Sequence, residues 1–205
     1  EEDTSLFLIN NNLISGSYML PSNLLSSYPW TNPIAAFVVY SGDGVVHDNL
    51  AAGSQDNGFI ISVKMLKVSS AMAAAVCSVT QASAYSYTLS DLTTDPKFSN
   101  NEAVGCRTGI TILTMSASES VASDCAVVAN FVAWRSGHIG IMSQDAEAGI
   151  LLANVLLAEN HIGVNLHFYK SDINVFTGIV SSTIIGSLGT TVGTTCTDLS
   201  DSMWA

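Results

Sequence analysis

A unit of asparagine, small apolar residues and glycine recurs along this chain, and this recurrence constrains the fold more than any other feature. It is clearest in HDNLAAGSQDNGFII, residues 47–61. The asparagines of the four clear copies are Asn49, Asn101, Asn130 and Asn154, and the glycines that open the next apolar run are Gly58, Gly109, Gly140 and Gly163. Each glycine follows its asparagine at nearly the same distance, and the last three asparagines are almost evenly spaced. A repeat with a period of roughly 20 to 50 residues predicts a solenoid of stacked, similar turns of chain.

The apolar runs inside the repeats predict strands. They are short, rich in β-branched residues and bounded by Gly, Asn, Asp or Ser, as in residues 35–40, 58–63 and 109–115. Short strands of this kind, without helical periodicity, favour an all-β fold. Together with the length of the repeat they favour a parallel β-helix of about six coils. We therefore expect a single domain over residues 1–205. Two insertions near 15–33 and 64–96 and a Ser/Thr-rich tail near 190–205 would interrupt or follow its coils.

Stacking predicts a structural role for both recurring residues. Consecutive coils of a parallel β-helix pair about 4.8 Å apart, so equivalent side chains lie on top of one another. We expect the four asparagines to form one ladder at a corner, each amide bonding to the next. We expect the four glycines to form a column where φ is positive or where the backbone packs too tightly for a side chain.

The charge of the chain argues against several partners. Seventeen acidic residues against six basic ones give a net charge of −11, which repels the phosphates of nucleic acids and anionic membranes. No apolar stretch is long enough for a transmembrane helix, and no basic-then-apolar leader is present. With 48% apolar residues the chain is too hydrophobic for a disordered segment.

Four cysteines, Cys77, Cys106, Cys125 and Cys196, are widely spaced. Their even number is typical of an oxidising compartment and allows two disulfides in three connectivities. We favour a Cys77–Cys125 disulfide, because both residues flank the coils that carry the second insertion; buried free thiols are the alternative. The absence of any Cys-x-x-Cys pair argues against zinc-ribbon and thioredoxin chemistry.

Residues with catalytic or metal-binding chemistry are sparse. Carboxylates act as an acid–base pair only when they are held a few ångströms apart. The candidates are Asp43, Asp48 and Asp56 in one set and Asp145, Glu147 and Glu159 in another, with Arg107 and Arg135 as basic partners. His138 and His161 are separated by close to one repeat and would lie on one face of stacked coils, but no third ligand follows at a fixed spacing. We therefore predict no catalytic, cofactor or metal site.

The order of the motifs resembles the β-helix region of fibrocystin-like proteins. The resemblance lies in TNPIAAFVVYSGDGVVHDNLAAGSQDNGFII, FSNNEAVGCRTGI, NFVAWRSGHIGI, LLAENHIGVNLHFYK and the closing IVSSTIIGSLGTTVGTTCTD, over residues 7–198. It implies a right-handed parallel β-helix in an extracellular or cell-surface protein, related to the β-helix of cell-surface hyaluronidases. The immunoglobulin-like repeats and membrane anchor of that family are absent from this sequence.

The expected function is that of a structural or adhesive extracellular module. Neither end of the chain contains an amphipathic cap, and an uncapped solenoid exposes strand edges that pair with another chain. We expect a homo-oligomer or filament, since a head-to-tail contact does not close, or packing against neighbouring domains of a larger chain. The acidic faces and the tail would suit bound or attached glycans. The alternatives are a carbohydrate-active enzyme and a ligand-binding ectodomain that uses the insertion at 64–96.

Overall fold

The protein has an all-β fold built from parallel sheets. The computed structural model describes residues 7–17, 34–40, 44–66, 97–113, 125–146, 149–168 and 177–186. Within these ranges the chain forms seventeen strands, β1 to β17, and one helical turn, α1 (Val63–Leu66).

The strands form three sheets, each of which takes every third strand of the chain. Sheet A contains β1 (Phe7–Asn10), β4 (Gly44–His47), β7 (Phe98–Ser99), β10 (Cys125–Ala129), β13 (Gly149–Ala153) and β16 (Gly178–Val180). Sheet B contains β2 (Leu13–Ser15), β5 (Leu50–Ala52), β8 (Glu102–Val104), β11 (Val132–Trp134), β14 (Leu156–Asn160) and β17 (Thr183–Gly186). Sheet C contains β3 (Ala35–Val39), β6 (Asn57–Ser62), β9 (Thr108–Leu113), β12 (Ile139–Ala146) and β15 (Ile162–Phe168).

Every pairing between the described strands is parallel. Each joins a strand to the third strand after it, such as β5 with β8 and β6 with β9. Three consecutive strands, one from each sheet, therefore make one repeat. Repeats one to five contain three strands each, and repeat six contributes β16 and β17 to sheets A and B. This order is compatible with a parallel β-helix, in which each repeat would be one coil.

The predicted insertions and tail fall mostly outside the described residues. Of the insertion near 15–33 the structure describes 15–17, and of that near 64–96 it describes 64–66. The tail near 190–205 lies beyond the described ranges.

One apolar core joins the three sheets, because inward residues of β1 to β15 contribute to the same cluster of buried and partly buried side chains. Aromatic rings occupy its centre. The Phe59 ring stacks on Phe37 with centroids 4.8 Å apart and meets Phe98 and Phe131 edge-on at 5.5 and 5.9 Å. The four rings come from repeats one to four, so the aromatic cluster ties successive repeats together.

Gly58, Gly109, Gly140 and Gly163 lie in register in sheet C, one directly above the next. None has a positive φ. A Cβ on Gly109 would lie 2.4 Å from the Gly140 carbonyl oxygen and 2.9 Å from the Ala133 Cβ. At Gly58 and Gly109 the recurring glycine is therefore required by close packing against the next strand and the alanines of sheet B, and not by a left-handed backbone.

Candidate functional site

The turn between the sheet A and sheet B strands of each repeat, here called the first turn, holds a residue with positive φ in all six repeats. These φ angles lie between 48° and 58°, the left-handed region that Asn and Asp tolerate better than other residues with a side chain. The six residues are Asn11, Asp48, Asn100, Asn130, Asn154 and Ser181. Part of the asparagine repetition is thus a requirement of the backbone.

A second column, one residue later in the chain, contains an amide ladder that is buried at Asn49 and Asn101. Asn12 donates its side-chain N–H to Asn49 Oδ1 at 3.0 Å, and Asn49 donates in the same way to Asn101 Oδ1, also at 3.0 Å. The backbone N–H groups of Asn12 and Asn49 donate to the same two oxygens at 3.1 Å. Asn101 in turn donates to the Val46 carbonyl at 2.9 Å. The ladder therefore satisfies buried backbone groups of neighbouring repeats, which would otherwise cost free energy.

Asn130 and Asn154 do not belong to this ladder. They occupy the positive-φ column, where Asn154 donates to Asn130 Oδ1 at 2.6 Å near the surface. The buried column continues in their repeats as Phe131 and Val155, both almost fully buried. The predicted single ladder is divided between two adjacent columns because the Phe131 ring takes the inward position and packs in the aromatic cluster.

The two columns predict different responses to the same substitution. Asn101→Gly is expected to lower the free energy of unfolding by about 2 kcal/mol, because it leaves the buried Asn49 N–H without an acceptor. Asn130→Gly is expected to change it by less than about 0.5 kcal/mol, because glycine adopts positive φ without strain. Urea unfolding of both variants measures the difference. Equal losses would show that the buried ladder contributes no more than the exposed one.

The turn between the sheet B and sheet C strands, here called the second turn, also contains a positive-φ column. Glycine occupies it in the first three repeats, as Gly16, Gly53 and Gly105, but Arg135 and Glu159 replace it in repeats four and five. The Arg135 Nε donates to Glu159 at 2.7 Å across the two repeats. This hydrogen bond, together with the charge of the guanidinium, lowers the pKa of the Glu159 carboxyl. The pair is largely exposed, so its contribution to stability is small.

An exposed aromatic ring lies beside this ion pair. Trp134, at the end of β11, is 40% exposed, and the Arg135 guanidinium carbon lies 4.8 Å from the centre of its ring. This is a cation–π arrangement. No sequence pattern joins these three residues, because the contact depends on Arg135 adopting the conformation that glycine has elsewhere in the column.

A further column at the second turn contains charged and titratable side chains in four successive repeats, Asp56, Arg107, His138 and His161, each just before a sheet C strand. Arg107 lies 3.8 Å from the Asp56 carboxylate. The His138 and His161 rings stack with centroids 6.5 Å apart and an interplanar angle of 18°. The two histidines predicted to share one face therefore lie directly next to each other.

The candidate carboxylates are distributed over both turns. Asp48, which bonds to His47 Nδ1 at 2.6 Å, lies at the first turn, whereas Asp56 lies at the other end of β5. Glu159 is held by Arg135. Asp43 and Glu147 fall outside the described residues, and Asp145 lies in β12 with its side chain not described. Among the described residues, no group of three His, Cys, Asp or Glu side chains is arranged to hold a metal ion.

Cys106 is a buried free thiol at the second turn. Its sulfur faces the carbonyl oxygens of Ala51 and Val104, each at 3.7 Å, and burial raises its pKa. Three cysteines then remain for disulfides, which leaves room for one within the chain. The predicted Cys77–Cys125 disulfide stays a prediction, because Cys77 lies outside the described residues and only the backbone of Cys125 is described.

Comparison with known proteins gives no match: no protein-family model, no curated protein and no solved structure is significantly similar to the chain. The resemblance to fibrocystin-like proteins therefore remains an expectation based on the order of the motifs. No helix in the described part of the chain is long and apolar enough to cross a membrane.

Proposed function

We propose that this chain is a structural module, folded as a right-handed parallel β-helix, that associates end to end in an extracellular fibre or coat. Pairing between every third strand supports the β-helix, and parallel strands of one sheet are joined by right-handed crossovers in nearly all proteins. The order of the motifs supports the extracellular setting.

The observation that carries the proposal is the open core at repeat six. Ile179 and Ile184 continue the inward columns of Leu152 and Leu157. Those leucines are 0% exposed, whereas Ile179 and Ile184 are 42% and 49% exposed. In the part of the chain that the structure describes, β16 and β17 pair with one neighbour each, so their other edges can accept a further strand.

The opposite end presents a similar surface. Among the described residues β1 and β2 pair on one side only, with β4 and β5. Docking this end on repeat six of another copy would continue the parallel ladders and cover Ile184. Because this contact joins the two opposite ends of the stack, it does not close and produces a filament. Six repeats stacked about 4.8 Å apart give this filament an axial period of about 29 Å.

Light scattering over a range of protein concentrations, with negative-stain electron microscopy, tests the proposal. Wild-type protein is expected to grow into rods, and Ile184→Asp is expected to keep it monomeric because the charge would be buried in the contact. Leu156→Asp is the matched control: Leu156 is 40% exposed on β14, a strand of sheet B that is paired on both sides, with β11 and β17. A monomeric wild type would overturn the proposal, as would assembly blocked by Leu156→Asp and unaffected by Ile184→Asp.

A further inference from the structure

Two imidazole rings lie next to each other at the second turn of repeats four and five. The Ile162 N–H donates to the His138 carbonyl at 2.7 Å, which holds the two turns in register. Both side chains are exposed, and their ring centroids are 6.5 Å apart. The backbone pairing of the repeats therefore holds the two rings as neighbours.

The ring nitrogens are available for a ligand. In the described part of the chain, no hydrogen bond involves a ring nitrogen of His138 or His161, and the stacking between them is their one side-chain interaction. His47 differs, because its Nδ1 is bound to Asp48 at 2.6 Å. A neutral imidazole with a free lone pair is the commonest protein ligand of transition metals.

The surrounding charges permit a cation. Among the described residues, the two arginines of the second turns, Arg107 and Arg135, are each paired with a carboxylate, Asp56 at 3.8 Å and Glu159 at 2.7 Å. The net charge of the chain is −11, so its long-range field attracts cations.

We propose that His138 and His161 form a binding site for a late first-row divalent metal ion. Metal–nitrogen bonds are about 2.0–2.1 Å long, so two nitrogens that share an ion lie within roughly 4 Å of each other. Binding requires one nitrogen of each ring to move into that range; both side chains are exposed, and exposed side chains rotate rapidly. Water fills the remaining positions, since no third His, Cys, Asp or Glu joins the pair among the described residues. Imidazole suits Cu²⁺, Ni²⁺ and Zn²⁺, with Cu²⁺ bound most tightly.

Titration with Cu²⁺, followed by calorimetry and electron paramagnetic resonance, tests this site. The wild type is expected to bind one Cu²⁺ whose spectrum shows coupling to at least two nitrogens. His138→Gln and His161→Gln are each expected to weaken binding by about tenfold or more, because a single imidazole loses the advantage of chelation. Both positions are exposed, so the variants should keep the circular dichroism spectrum of the wild type.

His47→Gln is the matched control and should leave the affinity unchanged, since that ring belongs to the first turn. Wild-type affinity in either the His138 or the His161 variant would overturn the proposal. Absence of Cu²⁺ binding by the wild type at millimolar metal would also overturn it. The site uses no residue of repeat six, so the titration can be repeated on the Ile184→Asp variant and its outcome separated from the assembly of the chain into rods.

Discussion

Phe59→Ala is expected to lower the free energy of unfolding by about 4 kcal/mol, the largest single-residue effect we predict for this fold. The Phe59 side chain is fully buried and touches the rings of Phe37, Phe98 and Phe131. Removing the ring loses its burial and leaves a cavity. Because the surrounding rings belong to different repeats whose spacing is held by backbone hydrogen bonds, the cavity cannot close by a local shift.

Chemical unfolding followed by circular dichroism measures this loss, and the melting temperature should fall by about 10 °C. Phe59→Leu is the control, with an expected loss of about 1–2 kcal/mol, because leucine refills most of the volume. If alanine and leucine cost the same, the ring contacts would not be the source of the stability, and the central role assigned to the aromatic cluster would be wrong.

Gly109→Ala is expected to lower the free energy of unfolding by about 3 kcal/mol through overpacking. The added Cβ would lie 2.4 Å from the Gly140 carbonyl oxygen and 2.9 Å from the Ala133 Cβ. Neither atom is the end of a flexible side chain. Relief therefore requires the backbone of sheet C to separate from its neighbour, which weakens the ladder of hydrogen bonds between β9 and β12.

Gly137→Ala is the matched control within the same region. Gly137 also lacks a positive φ, and its nearest neighbour in the direction of a Cβ is the Arg107 Cα at 3.9 Å, an ordinary contact. Its substitution should change the free energy of unfolding by less than about 0.5 kcal/mol, or raise it slightly by restricting the unfolded chain. Similar losses in both variants would mean that glycine is needed for chain flexibility and not for close packing.

Much of the architecture could be predicted from the sequence because the parallel stacking of repeats leaves a periodic trace. The short β-branched runs and the glycines at a regular spacing predict parallel strands and an aligned column, and Gly58 to Gly163 do lie in register. The glycine column could be aligned without a structure because most of its members share one steric limit. At Gly58, Gly109 and Gly140 a Cβ would lie 2.4–2.7 Å from the carbonyl oxygen of the glycine in the next strand.

The asparagines were harder to assign, because two different physical requirements select the same residue type. Asn130 meets the need for positive φ, whereas Asn101, one position later in its repeat, meets the need for buried amide donors and acceptors. Aligning the repeats on the letter Asn alone places Asn101 and Asn130 in one column, although they are one residue out of register. The residue after Asn130 shows the difference, because in repeat four Phe131 takes the inward position and is fully buried in the core.

The residues of the candidate metal site were only partly predictable. The spacing of His138 and His161 matches the repeat, so their adjacency follows from the sequence. Their free ring nitrogens do not follow from it. Nor do the ion pairs of Arg135 with Glu159 and of Arg107 with Asp56, each of which joins side chains from two different repeats.

The sequence by itself thus determined the parallel all-β architecture and the glycine column, because a chain of stacked repeats needs the same sterically critical residue in each repeat. Only the tertiary structure decided which asparagines are buried, which side chains surround the second turn and where the core stays open. These depend on register to within one residue and on the inward or outward direction of each side chain. Such details are set by the packing of several repeats at once, which no single repeat contains.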